Sequence, residues 1–136
     1  AGTASARVCA FQDFLPTLCS LTGIERPEGL DGIDLSGTLR GRPARLAQRP
    51  PLYWELGRHQ ALLHGRWKWV RQVSKQGAVQ EELFDLEADP TEGTNLALEH
   101  PERLAAMRAL AQAQRSPSAL FPSPFDEELP SGDDSD

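Results

Sequence analysis

The stretch from Leu52 to Gln72 constrains the fold more than any other part of this 136-residue chain. It holds every tryptophan and the only tyrosine of the chain: Tyr53, Trp54, Trp67 and Trp69. Aromatic side chains bury large apolar areas and favour a pleated, half-buried surface. Two glycine-containing segments, Gly57-Arg58-His59 and His64-Gly65, divide the stretch, and glycine accepts the positive φ that tight hairpins need. The sequence therefore predicts a three-stranded antiparallel meander.

The second turn also predicts a register. A two-residue turn at His64-Gly65 pairs Leu62 with Trp67 and Gln60 with Trp69. Because successive strand side chains point to opposite faces, Leu62, Trp67 and Trp69 then share one face. A C-terminal helix is the shield available to that face, so we expect the tryptophans to lie in the core.

Three further segments complete the predicted fold. A short helix is expected from Asp13 to Thr22, because apolar residues recur there at helical spacing. Glu82 to Leu86 is predicted to form a fourth strand. Another helix is predicted from Pro101, whose missing N–H costs nothing at a helix start, to Arg115. The fold class is therefore α+β: a four-stranded antiparallel sheet with a packed C-terminal helix and a short N-terminal helix. The expected apolar face of the short helix consists of Phe14, Leu18 and Leu21.

We divide the chain into four parts. Residues 1–9 are expected to be a remnant of a preceding domain, and residues 10–51 to form a helix and an irregular loop. The sheet and the C-terminal helix are expected in residues 52–115. Residues 116–136 form a Pro-rich acidic tail that we expect to be partly disordered, because its last residues carry little apolar surface to bury.

Charge is distributed unevenly. The net charge is −6, but six acids and no base follow Arg115, whereas nine bases and one acid, Glu55, lie between Arg40 and Lys75. Such a local basic excess attracts anions, so a stand-alone anion-binding module is one interpretation. Solvated loop charge is the other. We do not expect nucleic-acid binding, because burial explains the tryptophans better than a stacking platform does. We also expect no membrane association, since no apolar run is long enough to span a bilayer.

The cysteines and histidines offer little chemistry of their own. Cys9 and Cys19 fit neither a disulfide framework nor a metal-ligand spacing, and we expect both to be buried, unreactive thiols. Glu55, His59 and His64 lie close in sequence, but the histidines fall at opposite ends of one predicted strand. The sequence therefore predicts no catalytic residue and no metal ligand in this chain.

Four residues are candidates for contacting a substrate at the rim of a neighbouring domain's cleft: Arg58, His59, His64 and Lys68. Loops on a rigid sheet often carry binding groups, which favours this role for the first three. Lys68 fits an anion contact or a salt bridge to another domain. It also fits a strand lysine whose stem covers apolar surface.

Five segments together resemble the C-terminal subdomain of type I sulfatases, the formylglycine-dependent, arylsulfatase-like enzymes of the alkaline-phosphatase superfamily. They are the helix at 13–23, the loop at 28–35, the strand pair with Gly65-Arg66-Trp67-Lys68, the segment 82–96 (ELFDLEADPTEGTNL), and His100-Pro101 opening the last helix. Order and spacing agree across residues 10 to 125. A related phosphodiesterase or phosphonate hydrolase of the same superfamily can share this part and remains an alternative.

The resemblance implies a parent enzyme that hydrolyses sulfuric esters. Formylglycine and calcium, or another divalent cation, are expected in an N-terminal catalytic domain, where they stabilise charge on sulfate oxygens. Neither Cys9 nor Cys19 begins the formylglycine motif, so we expect no cofactor in this chain and no activity of the chain alone. Its expected partners are that catalytic domain and a sulfated small molecule or glycan. By resemblance, the protein is expected to be periplasmic or secreted.

Overall fold

The computed structural model describes residues 4–42 and 49–126. The chain divides into two compact units, Ala1–Arg49 and Pro50–Asp136. The disorder predicted for the acidic C-terminus concerns residues 127–136, which lie outside the described ranges. Residues 1–3 of the predicted remnant lie outside them as well. In the described ranges, no helix is both long and apolar enough to cross a membrane.

The second unit consists of an antiparallel sheet and a long helix. Its strands are β1 (Leu52–Leu56), β2 (His59–His64), β3 (Trp67–Val73) and β4 (Val79–Asp85), in the order β1-β2-β3-β4. The helix α3 spans Pro101–Gln114 and has proline in its first turn, as predicted. This arrangement confirms the α+β fold class. The fourth strand begins at Val79, three residues earlier than the sequence predicted.

The register of the β2–β3 hairpin differs from the prediction. Leu62 pairs with Trp69 and Gln60 with Arg71, so the turn is Gly65-Arg66 and not His64-Gly65. Gly65 has φ 61°. Glycine with positive φ at the first turn position is the type II′ arrangement, whose twist suits a hairpin. The β1–β2 hairpin repeats it with Gly57 at φ 58°, so His59, predicted to lie in the turn, begins β2.

The core of this unit lies between one sheet face and α3. Leu62, Trp67 and Trp69 share this face as predicted, although the register differs, because a shift of two residues leaves side-chain directions unchanged. Trp69 is 1% exposed, and Trp67 is half-buried against the same cluster. Trp54 lies on the opposite face and is 46% exposed, so the prediction of a core position was wrong for this tryptophan. The buried core residues are Leu62, Trp69, Leu83, Ala97, Met107 and Ala111.

The segment after α3 returns to the sheet. Phe125 is buried, whereas Phe121 is exposed. Of these two rings, Phe125 is therefore the one that packs against the rest of the unit.

The first unit is built around Asp13. A short 3₁₀ turn (Phe11–Asp13) leads into α1 (Phe14–Thr22), which ends at Gly23 with φ 74°. The buried Asp13 carboxylate accepts hydrogen bonds from the N–H groups of Ala10 and Ile33 and from the Arg49 guanidinium at 2.6 Å. Burial raises the pKa of Asp13, but these hydrogen bonds outweigh it and lower the pKa below its usual value. The predicted irregular loop also contains a four-residue helix, α2 (Ser36–Leu39).

The predicted apolar face of α1 is on the helix surface that this unit leaves uncovered. Phe14, Leu18 and Leu21 are all exposed, whereas Pro16, Thr17 and Cys19 are buried. Helical spacing identified an apolar stripe correctly, but the stripe does not pack within this unit. The prediction for the thiols is half right, because Cys19 is buried and Cys9 is exposed.

Candidate functional site

The four predicted substrate-contacting residues lie near two opposite ends of β2. Arg58 and His59 are at the β1–β2 turn, whereas His64 and Lys68 are near the β2–β3 turn. The two histidines are five positions apart along β2, which corresponds to roughly 17 Å at the rise of an extended strand. The structure therefore does not bring the four side chains together into one site.

Their side chains also point to different faces of the sheet. The register places His59 and Lys68 on the face opposite α3, and His64 on the face that α3 covers. The Arg58 guanidinium donates a hydrogen bond to the carbonyl oxygen of Ser74 at 3.2 Å, and both Arg58 and His59 are exposed. A substrate contact by any of them stays a prediction.

Lys68 already has an anionic partner within its own unit. Its ammonium group lies 2.6 Å from both carboxylate oxygens of Glu92. Glu92 adopts φ 57°, a left-handed conformation that is uncommon for a residue with a side chain. This ion pair connects β3 to the loop before α3, so a substrate anion would compete with Glu92 for Lys68.

Glu55 is the centre of a polar cluster on the sheet face that α3 covers, near the β1–β2 turn. Its carboxylate accepts hydrogen bonds from the Tyr53 hydroxyl, from Gln60 Nε2 at 3.3 Å, and from Arg115 Nε at 2.8 Å. Burial raises the pKa of Glu55, but hydrogen bonds led by that from Arg115 overcome the effect and lower it to about 2. A carboxylate held ionised in this way is a poor proton donor near neutral pH, which argues against a general-acid role for Glu55.

Arg115 extends this cluster to the last described residues. Its side chain is 5% exposed and lies 2.5 Å from Asp126 Oδ1, and it donates to the Phe125 carbonyl oxygen at 3.2 Å. Burial lowers the pKa of Arg115, but the hydrogen bond with Glu55 has the larger effect and raises it. The cluster thus attaches residues 115–126 to the sheet. Sequence reasoning missed it, although Glu55 stood out as the one acid in the basic stretch.

A second group of side chains surrounds Trp67 at the start of α3. The Arg66 and Arg103 guanidinium carbons lie 5.4 Å and 5.5 Å from the Trp67 ring centroid, and the His100 ring meets Trp67 edge-on at 5.4 Å. The open hollow beside them, called here the Trp67 hollow, is lined by Trp67, Glu99, His100, Pro101, Glu102, Arg103 and Ala106. Arg66 forms salt bridges with Asp85 at 2.5 Å and with Glu87 at 3.2 Å.

The described residues do not provide the donor set of a metal site. Among residues 4–42 and 49–126, no group of three or more His, Cys, Asp or Glu side chains could hold a metal ion. Calcium and formylglycine stay predictions for the catalytic domain.

The chain is similar in sequence to sulfatases. It is 33% identical to arylsulfatase K of Mus musculus over 70% of this chain and 19% of that protein. It is 36% identical to the delta 4,5-hexuronate-2-O-sulfatase of Bacteroides thetaiotaomicron over 72% of this chain and 22% of that protein. It is 30% identical to human arylsulfatase K over 75% of this chain. The chain spans about a fifth of the length of these relatives. No family model matches it.

Solved structures show the same fold. A protein determined in complex with its substrate D-glucosamine-2-N,6-O-disulfate matches with a TM-score of 0.56 and 23% identity, over 74% of this chain and 22% of that chain. A Bacteroides fragilis protein provisionally named a sulfatase matches with a TM-score of 0.53 and 25% identity, over 74% of this chain and 23% of that chain.

Proposed function

Because this chain is a sulfatase-like C-terminal fragment, we propose that it forms one side of the substrate cleft of a sulfuric ester hydrolase and supports that enzyme's catalytic domain. The observation that carries the proposal is the extent of the similarity. The matched region covers about 70% of this chain but about a fifth of each relative. Most of the corresponding enzyme, including its reactive centre, would then be encoded outside these residues.

The uncovered face of α1 and the turn before it supports such a partner. Phe11 is 88% exposed and Leu18 is 52% exposed, and both line the same apolar hollow with Phe14 and Leu15. Large apolar patches of this kind on a soluble protein mark interaction sites. Each leucine or phenylalanine buried there would contribute about 1.5–3 kcal/mol. We therefore assign this face to the contact with the catalytic domain.

The sheet offers a further surface for contact. Trp54 pairs with Ala61, which pairs with Val70, so the three residues form an apolar row across the face opposite α3. Trp54 is nearly half exposed, and aromatic residues of this size are frequent anchors of interfaces. His59 and Lys68 share this face, which is where a contact with a bound substrate would be most direct.

The proposed substrate is a sulfated sugar. One structural neighbour was solved with a disulfated glucosamine as its substrate, and one relative is named a hexuronate sulfatase. In the proposed enzyme, formylglycine and calcium would belong to the catalytic domain and would supply the nucleophile and charge stabilisation. The residues of this chain would orient the sugar and exclude water from one side of the cleft.

The first test compares this chain with the same chain extended upstream through the catalytic domain. Both proteins are purified and assayed on an aryl sulfate and on D-glucosamine 6-sulfate. We expect sulfate release by the extended protein alone. Turnover by the 136-residue chain, free of contaminants, would refute the proposal. Hydrolysis of a bis-aryl phosphate and no sulfate ester would favour the phosphodiesterase alternative.

The second test addresses the α1 face. Leu18→Asp places a charge in the exposed apolar patch, and Leu98→Asp is the matched control at a site that is 96% exposed in the second unit. Neither change should alter the unfolding of the isolated chain by more than about 0.5 kcal/mol. In the extended protein, Leu18→Asp should lower the soluble yield and the melting temperature, whereas Leu98→Asp should not. Equal behaviour of the two variants would contradict the assignment of this face.

A further inference from the structure

We propose that the Trp67 hollow binds an anionic sugar residue, through its ring face, its hydroxyl groups and its charged substituent together. The sulfated form of the sugar rests on the proposed function, whereas the class of ligand rests on the lining residues. None of these residues was a candidate from the sequence. The hollow belongs wholly to the second unit, between the start of β3 and the first turns of α3.

The cationic residue of the hollow is Arg103, which lies next to His100 in the lining. Within the described part of the chain, Arg103 has no carboxylate partner, and its guanidinium is held over the Trp67 ring at 5.5 Å. The contact with the indole fixes the guanidinium without using its N–H groups, since a cation–π interaction needs only the charge. Those N–H groups remain able to donate to a sulfate or carboxylate, and a guanidinium can do so through two parallel hydrogen bonds.

The negative charges of Glu99 and Glu102 distinguish this hollow from a simple anion site. Both carboxylates line it and are exposed. They would repel a free anion, but they accept hydrogen bonds well from the hydroxyl groups of a sugar. A ligand that carries hydroxyl donors on one side and an anionic group on the other satisfies both halves of the lining.

Apolar surface completes the match. Arg66 and Arg103 lie over the half-buried Trp67 ring, so Pro101 and Ala106 supply the aliphatic surface of the lining. Sugar rings present C–H groups that pack on such surface. Pockets for small ligands commonly combine this apolar wall with a few polar groups that fix orientation. The arrangement therefore points to one anionic sugar residue, with a sulfate or a carboxylate as its charged group.

The test uses the full chain and the indole N–H resonance of Trp67 in proton–nitrogen correlation spectra. Titration with D-glucosamine 6-sulfate and with glucuronic acid distinguishes the two charged groups. N-acetylglucosamine and inorganic sulfate test the need for charge and for the sugar. We expect saturable shifts at Trp67 and His100 with at least one anionic sugar. N-acetylglucosamine and inorganic sulfate should each bind about tenfold more weakly.

Arg103→Gln should weaken binding about tenfold, the effect of losing one charge-assisted hydrogen bond. Arg108→Gln is the matched control, because Arg108 lies on the same helix but pairs with Glu81 at 2.5 Å. Equal binding by the two variants, or inorganic sulfate binding as tightly as the sulfated sugar, would overturn the inference. So would the lack of any saturable shift at Trp67. Sulfate release by the extended protein would be unaffected by such a failure, so the two proposals can fail separately.

Discussion

Replacing Trp69 by alanine tests the position of α3 on the sheet. Trp69 is 1% exposed and packs with Leu62, Leu83 and Met107 in the core cluster. An aromatic side chain buries about 150–250 Å², which corresponds to about 4–6 kcal/mol at 25 cal/mol per Å². Alanine retains part of that burial, and tryptophan-to-alanine changes in cores cost about 3–5 kcal/mol. We expect Trp69→Ala to lower the free energy of unfolding by that amount.

The hydrogen bond of the indole changes this figure little. Trp69 Nε1 donates to Glu81 Oε1 at 3.1 Å, but Glu81 also accepts from Arg108 Nε at 3.0 Å. The carboxylate therefore keeps a strong partner when the indole is removed. One net hydrogen bond contributes about 1 kcal/mol, which lies within the range already given.

Urea denaturation of the full chain, followed by far-ultraviolet circular dichroism, measures the change. Trp54→Ala is the matched control, because Trp54 is 46% exposed on the opposite face. We expect it to cost about 1 kcal/mol. A small domain has about 5–15 kcal/mol in total, so Trp69→Phe provides a milder variant if the alanine variant does not fold. A cost below about 1 kcal/mol for Trp69→Ala would contradict a position of α3 over the Trp69 face. A cost for Trp54→Ala that exceeds the cost for Trp69→Ala would contradict it too.

Three further outcomes are expected. Arg115→Ala should cost about 3–5 kcal/mol, because Arg115 is 5% exposed and its loss leaves the partly buried Glu55 carboxylate without its cation, whereas Arg108→Ala should cost about 1 kcal/mol or less. Urea titrations compare the two variants, and equal costs would contradict a cluster held by a buried guanidinium. The pKa of Glu55 is lowered to about 2 by hydrogen bonds that outweigh its burial. A lowered folded-state pKa stabilises the fold above the unfolded value of about 4.5, so stability should fall by about 3 kcal/mol from pH 4.5 to 2. Melting temperatures across this range should show a smaller decrease for Glu55→Gln, and an unchanged decrease would assign it to other groups. Asn95→Ala should cost about 1–3 kcal/mol in thermal unfolding, because Asn95 Oδ1 accepts from the N–H groups of Leu83 and Ala97 at 3.0 and 2.9 Å; Thr94→Ala is the exposed neighbouring control.

The strands and helices were predictable because their signals are local. Glycine marked both hairpins, alternation identified the tryptophan face, and Pro101 marked the start of α3. The register was not predictable from the same signals. A glycine fits either position of a two-residue turn, and the choice between Gly65 first and Gly65 second depends on the twist of the strands it joins.

The apolar stripe of α1 shows a different limit. Helical spacing predicted that Phe14, Leu18 and Leu21 share one face, and they do. Spacing reports that a face is apolar, but it does not report what covers that face. In a chain that spans about a fifth of its relatives, the covering surface can belong to residues outside the chain. The stripe is therefore evidence about a partner as much as about the fold.

The polar clusters were beyond sequence reasoning because their members are far apart along the chain. Glu55 and Arg115 are 60 positions apart in the sequence. Arg103 reaches Trp67 only because α3 crosses the same sheet face that holds the core. Charge counting identified Glu55 as the one acid in the basic stretch and did not single out Arg103. Packing gives each a distinct environment: the ionised Glu55 is paired with the buried Arg115 guanidinium, whereas Arg103 lies over the Trp67 ring beside an open hollow. Of the two clusters, that difference makes the Trp67 hollow the one suited to a ligand.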